Sequence, residues 1–186
     1  MDTSDIKLPG VHNIENYMAA IAAVDGMVPD AAIRDFARRF GGVEHRIELV
    51  RELDGAKWYN DSIASSPSRT IAGLRSFPQK VILIAGGKDK GISYDAIGPE
   101  INEHVKALIL CGATAGVIRA AVEQAPNFTG LPITEVDSYP AAVNLARQTA
   151  KPGDVVLLSP ASTSFDRFAN FMERGRVFKD LVNALK

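Results

Sequence analysis

Val81-Ile82-Leu83-Ile84-Ala85-Gly86-Gly87-Lys88-Asp89-Lys90-Gly91 is the stretch that decides the fold. An unbroken apolar run, rich in branched side chains, passes straight into a glycine pair and a polar loop. Strands buried on both faces read this way, because helices cover both sides of a parallel sheet. Ala107-Leu108-Ile109-Leu110-Cys111 before Gly112 repeats the pattern, as does Val155-Val156-Leu157-Leu158 before Ser159-Pro160. Ile133-Thr134-Glu135-Val136 is a weaker strand, expected nearer an edge.

Helical stretches separate these runs. Ser66-Pro67-Ser68-Arg69 opens one, with Ser66 placed to cap and Pro67 at the first helical position. Others are expected from about Tyr94 to His104, Ala115 to Gln124 and Ser138 to Thr149. The last is expected from Phe165 to Leu185, with Phe168, Phe171, Gly175, Phe178, Val182 and Leu185 on one buried face. Strand and helix in alternation predict an α/β, Rossmann-like, doubly wound domain with a mostly parallel sheet. Arg46 to Leu53 and Lys57 to Asp61 add two strands ahead of it, antiparallel through a tight turn at Asp54-Gly55.

The first forty residues differ. Asn13 to Val24 and Pro29 to Phe40 read as helices, the second capped by Gly41-Gly42, and neither has a strand of its own. The expected division is therefore a helical segment, 1–40, followed by an α/β domain, 41–186.

Bulk properties bound the function. The chain has 186 residues, 46% of them hydrophobic, with 21 basic and 22 acidic side chains and a net charge of -1. A folded core is expected, and no charge block suggests a nucleic-acid or membrane-surface partner. One cysteine, Cys111, excludes an internal disulfide framework and fits a reducing compartment. No apolar run approaches the ~20 residues of a membrane span. The start lacks the features of a signal peptide, so a cytoplasmic protein is expected.

In an open α/β sheet, ligands gather where strands end and helices begin. Four polar clusters fall at such ends: Asn60-Asp61-Ser62, Gly86 to Gly91, Gly112-Ala113-Thr114 and Ser159 to Ser164. The glycine-rich loop could cradle an anion on its backbone N–H groups, or merely make a tight turn. Lys90 reads as either a solvated surface lysine or a site cation. Asp61 suits a ribose or arginine contact, or a simple Asx turn. Among Ser162, Thr163 and Ser164, one hydroxyl could cap the last helix, and exposed N–H groups there would suit a carboxylate. No Walker A or G-x-G-x-x-G spacing occurs, and His12, His45 and His104 show no metal-ligand spacing, so no metal site is expected.

Five segments, in one order, carry a family resemblance. They are Leu8 to Asn16, Gly42-Val43-Glu44-His45-Arg46-Ile47-Glu48, Tyr59-Asn60-Asp61-Ser62-Ile63-Ala64-Ser65-Ser66, Ile84 to Gly91, and Leu158 to Phe168 continuing to Glu173-Arg174-Gly175. Together they resemble the Mur ligases, and within them the D-glutamate-adding branch of peptidoglycan synthesis. The resemblance implies three cooperating domains: one for a UDP-sugar precursor (UDP-N-acetylmuramoyl-L-alanine), a central one for ATP and Mg2+, and a third for the amino acid. It implies ligation through an acyl phosphate. It further implies that Asn13 and Asn16 approach the nucleotide, and that His45 lies near it. Arg46 and Asp61 would contact the ATP phosphates and ribose, and Lys90 would pair with a D-glutamate carboxylate. Ser65, Ser164 and the backbone at Phe171 would complete the glutamate contacts.

Ile63 stands where many members have lysine, Ser65 where they have threonine, and Ser162 where they often have cysteine, the last with little expected consequence. Segment 1–40 is then expected to be the end of the central domain. With no P-loop, the chain is expected to be a monomeric piece of a longer ligase, inactive alone.

Overall fold

A computed structural model describes residues 2–8 and 10–186. Pro9 of the first matching segment lies outside them, as does the side chain of His12. The chain divides into two compact units, Met1–Val43 and Glu44–Lys186.

The first unit is helical. A short turn at Thr3–Asp5, capped by Asp2, precedes α1 (Val11–Ala23) and α2 (Asp30–Arg39). Arg38 Nε donates to Asp5 Oδ1 at 2.8 Å, and Phe36 stacks on Phe40 with ring centroids 4.9 Å apart. The expected glycine cap is corrected. Helix α2 stops one residue earlier, with extended Phe40 as its C-cap, and the glycines only carry the chain onward.

The second unit holds a six-stranded sheet in the order β1-β2-β6-β3-β4-β5. Its strands are β1 (Glu48–Leu53), β2 (Ala56–Asn60), β3 (Val81–Ala85), β4 (Val105–Leu110), β5 (Ile133–Glu135) and β6 (Val155–Leu158). Its helices are α3 (Pro67–Leu74), α4 (Ile97–His104), α5 (Ala115–Glu123), α6 (Tyr139–Thr149) and α7 (Phe171–Ala184). Strands β1 and β2 pair antiparallel; every other neighbour is parallel. Asp54 and Gly55 both take positive φ, 49° and 78°, which matches the twist a two-residue hairpin needs. Strand β1 starts later than expected because His45 (φ 67°) and Ile47 (φ 46°) turn the chain before it.

Side chains alternate between two cores. Leu83, Ala85, Leu108, Leu110 and Leu157 pack with Leu74, Ile97, Ile101, Ile118 and Val122 of α3, α4 and α5. Ile82, Ile84, Ile109, Val156 and Leu158 pack with Val143 and Phe178 of α6 and α7. Both faces are covered, which is why the strands read as unbroken apolar runs.

The last helix departs from expectation. It begins at Phe171, not Phe165, because Asn170 Oδ1 accepts from Glu173 N at 2.9 Å while Glu173 accepts from Ala169 N at 2.8 Å. That reciprocal capping fixes the start, and Phe165 is left exposed. Helix α4 starts at Ile97 after a turn at Tyr94. Ser66 stands at the N-cap of α3, yet its hydroxyl faces Ser68 Oγ at 3.2 Å and caps nothing.

Candidate functional site

Strands β2, β6, β3 and β4 run parallel, so their carboxyl ends open onto one edge and the four polar clusters meet there. A hydrogen-bonded frame joins them. Thr163 N donates to the Lys88 carbonyl (3.1 Å) and Lys88 N to the Thr163 carbonyl (2.9 Å), pairing the loops after β3 and β6. Ser162 Oγ lies 2.8 Å from Thr114 Oγ1 and 2.9 Å from Tyr94 OH, in a buried chain of hydroxyls. Position 162 is therefore an internal hydrogen-bonding site, which a thiol would fill less well.

Arg174 is fully buried and serves the same frame. Its Nε donates to Ser62 Oγ (3.0 Å), Nη2 to the Ser62 carbonyl (2.8 Å) and Nη1 to the Ser162 carbonyl (3.0 Å). Ser62 Oγ in turn donates to the Phe171 carbonyl at 2.8 Å. The sequence puts Ser62 in a polar cluster and Arg174 in a family segment but singles out neither. The available signal was the register of Arg174 with Phe178 and Val182, which puts a charged residue on a stripe that otherwise faces the core.

This frame corrects two expectations. The amides of Gly86, Gly87 and Lys88 do not cradle an anion: they donate to the Pro160 carbonyl (2.9 Å), Thr114 Oγ1 (3.1 Å) and the Thr163 carbonyl. The glycines are required for close approach. A Cβ on Gly86 would overlap the Cys111 carbonyl, and one on Gly87 would overlap the Thr163 carbonyl. Nor do Ser162, Thr163 and Ser164 cap the last helix, which begins beyond them, and the Thr163 N–H is not exposed but committed to Lys88.

On the β2 side, Asp61 is buried. Its Oδ2 accepts from Ser159 Oγ at 2.8 Å, and its Oδ1 accepts from Ile47 N at 3.3 Å. Burial raises its carboxyl to about 7, against those hydrogen bonds and the charges of Arg46 and Arg69. Asp61 is thus not the Asx turn of the simpler reading: Asn60 makes that turn, accepting from Ser62 N at 3.1 Å. His45 is buried between Asn60 Nδ2, 2.9 Å from its Nδ1, and Phe171, whose ring it meets edge-on. The imidazole packs so closely on α7 that a Cβ at Gly175 would overlap it. Burial holds the His45 pKa below its usual value. Arg46, between them, is half-buried.

The residues expected to face an amino acid are mixed in exposure. Lys90 is exposed, Ser65 half-buried and Ser164 buried. Phe171 gives its carbonyl to Ser62, so the backbone group it can offer a carboxylate is its N–H, in the first turn of α7. Asn13 is buried and Asn16 exposed, one turn apart on α1 of the first unit.

Glu44, His45 and Glu48 form the group of metal-ligand side chains found among the described residues. Lys179 Nζ already bridges its carboxylates, at 2.6 Å to Glu44 and 3.0 Å to Glu48. An ammonium in that position supplies the positive charge itself, so these residues do not fit a resident Mg2+.

A family match covering more than half of the chain fixes the family. Residues 45–162 match the model described as "Mur ligase, glutamate ligase domain". The chain belongs to the Mur ligase family. Among curated Mur ligases it is similar to the UDP-N-acetylmuramoylalanine--D-glutamate ligase of Acetivibrio thermocellus. The two are 57% identical over 187 residues, which is 98% of this chain and 40% of that protein. The enzyme of the same name from Ruminiclostridium cellulolyticum is 58% identical over 97% of this chain and 40% of its own length. The chain thus spans about two fifths of these relatives.

Solved Mur-type structures share the fold. The UDP-N-acetylmuramate-alanine ligase of Thermotoga maritima aligns with a TM-score of 0.72 at 17% identity, over 97% of this chain and 40% of that one. The folylpolyglutamate synthase of Mycobacterium tuberculosis aligns at 0.67 and 15% identity, over 93% and 41%. No helix among the described residues is long and apolar enough to cross a membrane.

Proposed function

We propose that this chain is the amino-acid-binding part of an ATP-dependent ligase that adds D-glutamate to UDP-N-acetylmuramoyl-L-alanine. Unit Glu44–Lys186 holds the amino acid, and Met1–Val43 is the end of the ATP-binding domain, with Asn13 and Asn16 toward the nucleotide. The carrying observation is the frame that binds the loops of Ser65, Lys90 and Ser164 into one rim. The shared name of relatives 57% and 58% identical supports D-glutamate over the substrates of the more distant structural neighbours.

On this reading ATP phosphorylates the precursor's carboxylate, the amine of D-glutamate attacks the acyl phosphate, and phosphate leaves. This chain's part is to bind and orient. A dianionic amino acid needs a cation and several neutral donors, which Lys90, the hydroxyls of Ser65 and Ser164, and the Phe171 N–H supply. Arg46 and Asp61 form the nucleotide-facing edge, with His45 behind them. Mg2+ and the ATP phosphates are held mainly outside this chain, with Arg46 reaching the phosphates from it, while Lys179 already fills the carboxylate group of Glu44 and Glu48. The 186 residues alone are inactive.

Lys90→Ala in the intact ligase tests the reading. D-Glutamate use should weaken by about 1.5–3 kcal/mol, the range for a charge-assisted hydrogen bond, seen as a raised KM for D-glutamate. Unchanged D-glutamate kinetics would remove Lys90 from the site. ATP-dependent ligation by the 186-residue chain alone would overturn the assignment of ATP to the rest of the protein.

A further inference from the structure

Arg174 stands where the loops after β2, β3 and β6 and the start of α7 converge. It donates twice to Ser62 in the loop after β2 and once to the Ser162 carbonyl in the loop after β6. Through Ser62 Oγ it reaches the Phe171 carbonyl at the start of α7. Its Nη1 also packs against Gly87, where a Cβ would come within 3.2 Å of it, in the loop that leads to Lys90. One rigid, planar fork thus touches the segments carrying Ser65, Ser164, Phe171 and Lys90.

A buried guanidinium with nine-tenths or more of its surface gone from water is costly unless its donors are satisfied. Here all three nitrogens find acceptors, and two of those are main-chain carbonyls of loops, not of helices or strands. Main-chain acceptors fix where a loop runs, whatever its side chains do. Lysine, a point charge with no fork, cannot hold Ser62 and Ser162 at one separation.

We propose that Arg174, acting through Ser62, is a positioning residue that sets the spacing of the amino-acid-binding arms, and so the size and reach of the amino acid accepted. This rests on the reading of the rim as an amino-acid site. Arg174 touches neither substrate nor nucleotide in this scheme; it holds in place the loops that carry the amino-acid contacts.

The test uses the intact ligase with Arg174→Lys and, should that variant fail to fold, Ser62→Ala, which removes the shared hydroxyl and leaves the arginine. The expected result is a KM for D-glutamate raised at least tenfold, a KM for ATP within twofold of wild type, and a kcat changed less than KM. Hydrogen exchange should quicken at residues 61–65 and 162–164 while the amides of β3 and β6 stay protected. A D-glutamate KM within twofold of wild type in the folded variant overturns the proposal. So does a parallel rise in the KM for ATP, or loss of protection spread evenly over the sheet, since either marks general destabilisation. If the wild-type enzyme uses another amino acid, the D-glutamate reading falls, and the clamp is judged on the KM for that amino acid. If it uses none, the reading of the rim as an amino-acid site falls and the proposal falls with it.

Discussion

The loop after β3 and the loop after β6 leave neighbouring strands at the same edge, yet they are built differently. Residues 159–164 are buried, and their polar groups answer to Asp61, Thr114, Tyr94, Lys88 and Arg174. Gly86 and Gly87 are locked in the same way, but from Lys88 to Gly91 the side chains stand in solvent. The contrast separates a frame from its tips. Groups that hold the loops are buried and paired inside the protein, while the cation proposed to meet a ligand is displayed from a rigid base. Such pre-organisation keeps a binding group in place without ordering it at the moment of binding.

The frame should be sensitive where the tips are not, and Asp61 gives the largest contrast. Burial raises its carboxyl from an ordinary value near 3.8 to about 7. Between those pH values the folded state keeps a proton that the unfolded chain has released. Stability present at about pH 4 is therefore lost as the pH rises through 7, by on the order of 3–4 kcal/mol. Denaturant melts of wild type and Asp61→Asn across pH 4 to 8 should diverge by that slope; parallel curves would mean a carboxylate ionised throughout, as a tip would be. His45 acts in the opposite sense, because its pKa is lowered and its contribution is lost on acidification.

Gly87→Ala comes next. The added methyl overlaps a main-chain carbonyl held by the frame, so a loss of about 3 kcal/mol in unfolding free energy is expected. Full stability in that variant would mean the loops after β3 and β6 separate freely. Lys90→Ala should change the unfolding free energy by less than about 0.5 kcal/mol while it weakens amino-acid use. A clear stability loss would move Lys90 into the frame. The smallest comparison pits two serines at helix starts. Ser138 Oγ accepts from Ala141 N at 3.3 Å, so Ser138→Ala should cost about 0.5–1 kcal/mol. Ser66→Ala should cost less, because Ser66 caps nothing. Equal effects in thermal melts would remove the distinction.

Much of this was readable beforehand, for physical reasons. Strands flanked by helices on both faces must be apolar throughout, so β3, β4 and β6 declared themselves, and Asp54-Gly55 left few alternatives to a tight hairpin. The start of α7 was misread because Phe168 continues the spacing of Phe171, and the cap at Asn170 competes with that pattern only through Glu173. The glycine pair is ambiguous for a related reason. Gly-Gly announces that a backbone approaches something closely, but the sequence does not say whether the neighbour is a ligand or the Cys111 and Thr163 carbonyls. Arg174 was passed over because arginine is usually a surface residue. The acceptors that make it tolerable inside, Ser62 and Ser162, lie more than a hundred residues away in one case and on a different loop in the other.

Arg51 has a part far from the rim. From β1 its guanidinium reaches the carbonyls of Val182, Asn183 and Leu185, at 3.2, 3.1 and 3.3 Å, where α7 runs out of internal donors. The opening strand of the unit and its closing helix are thereby buckled together. Trimming the final turn would loosen the hairpin that opens the unit, so damage to the helix end is felt at the first strand.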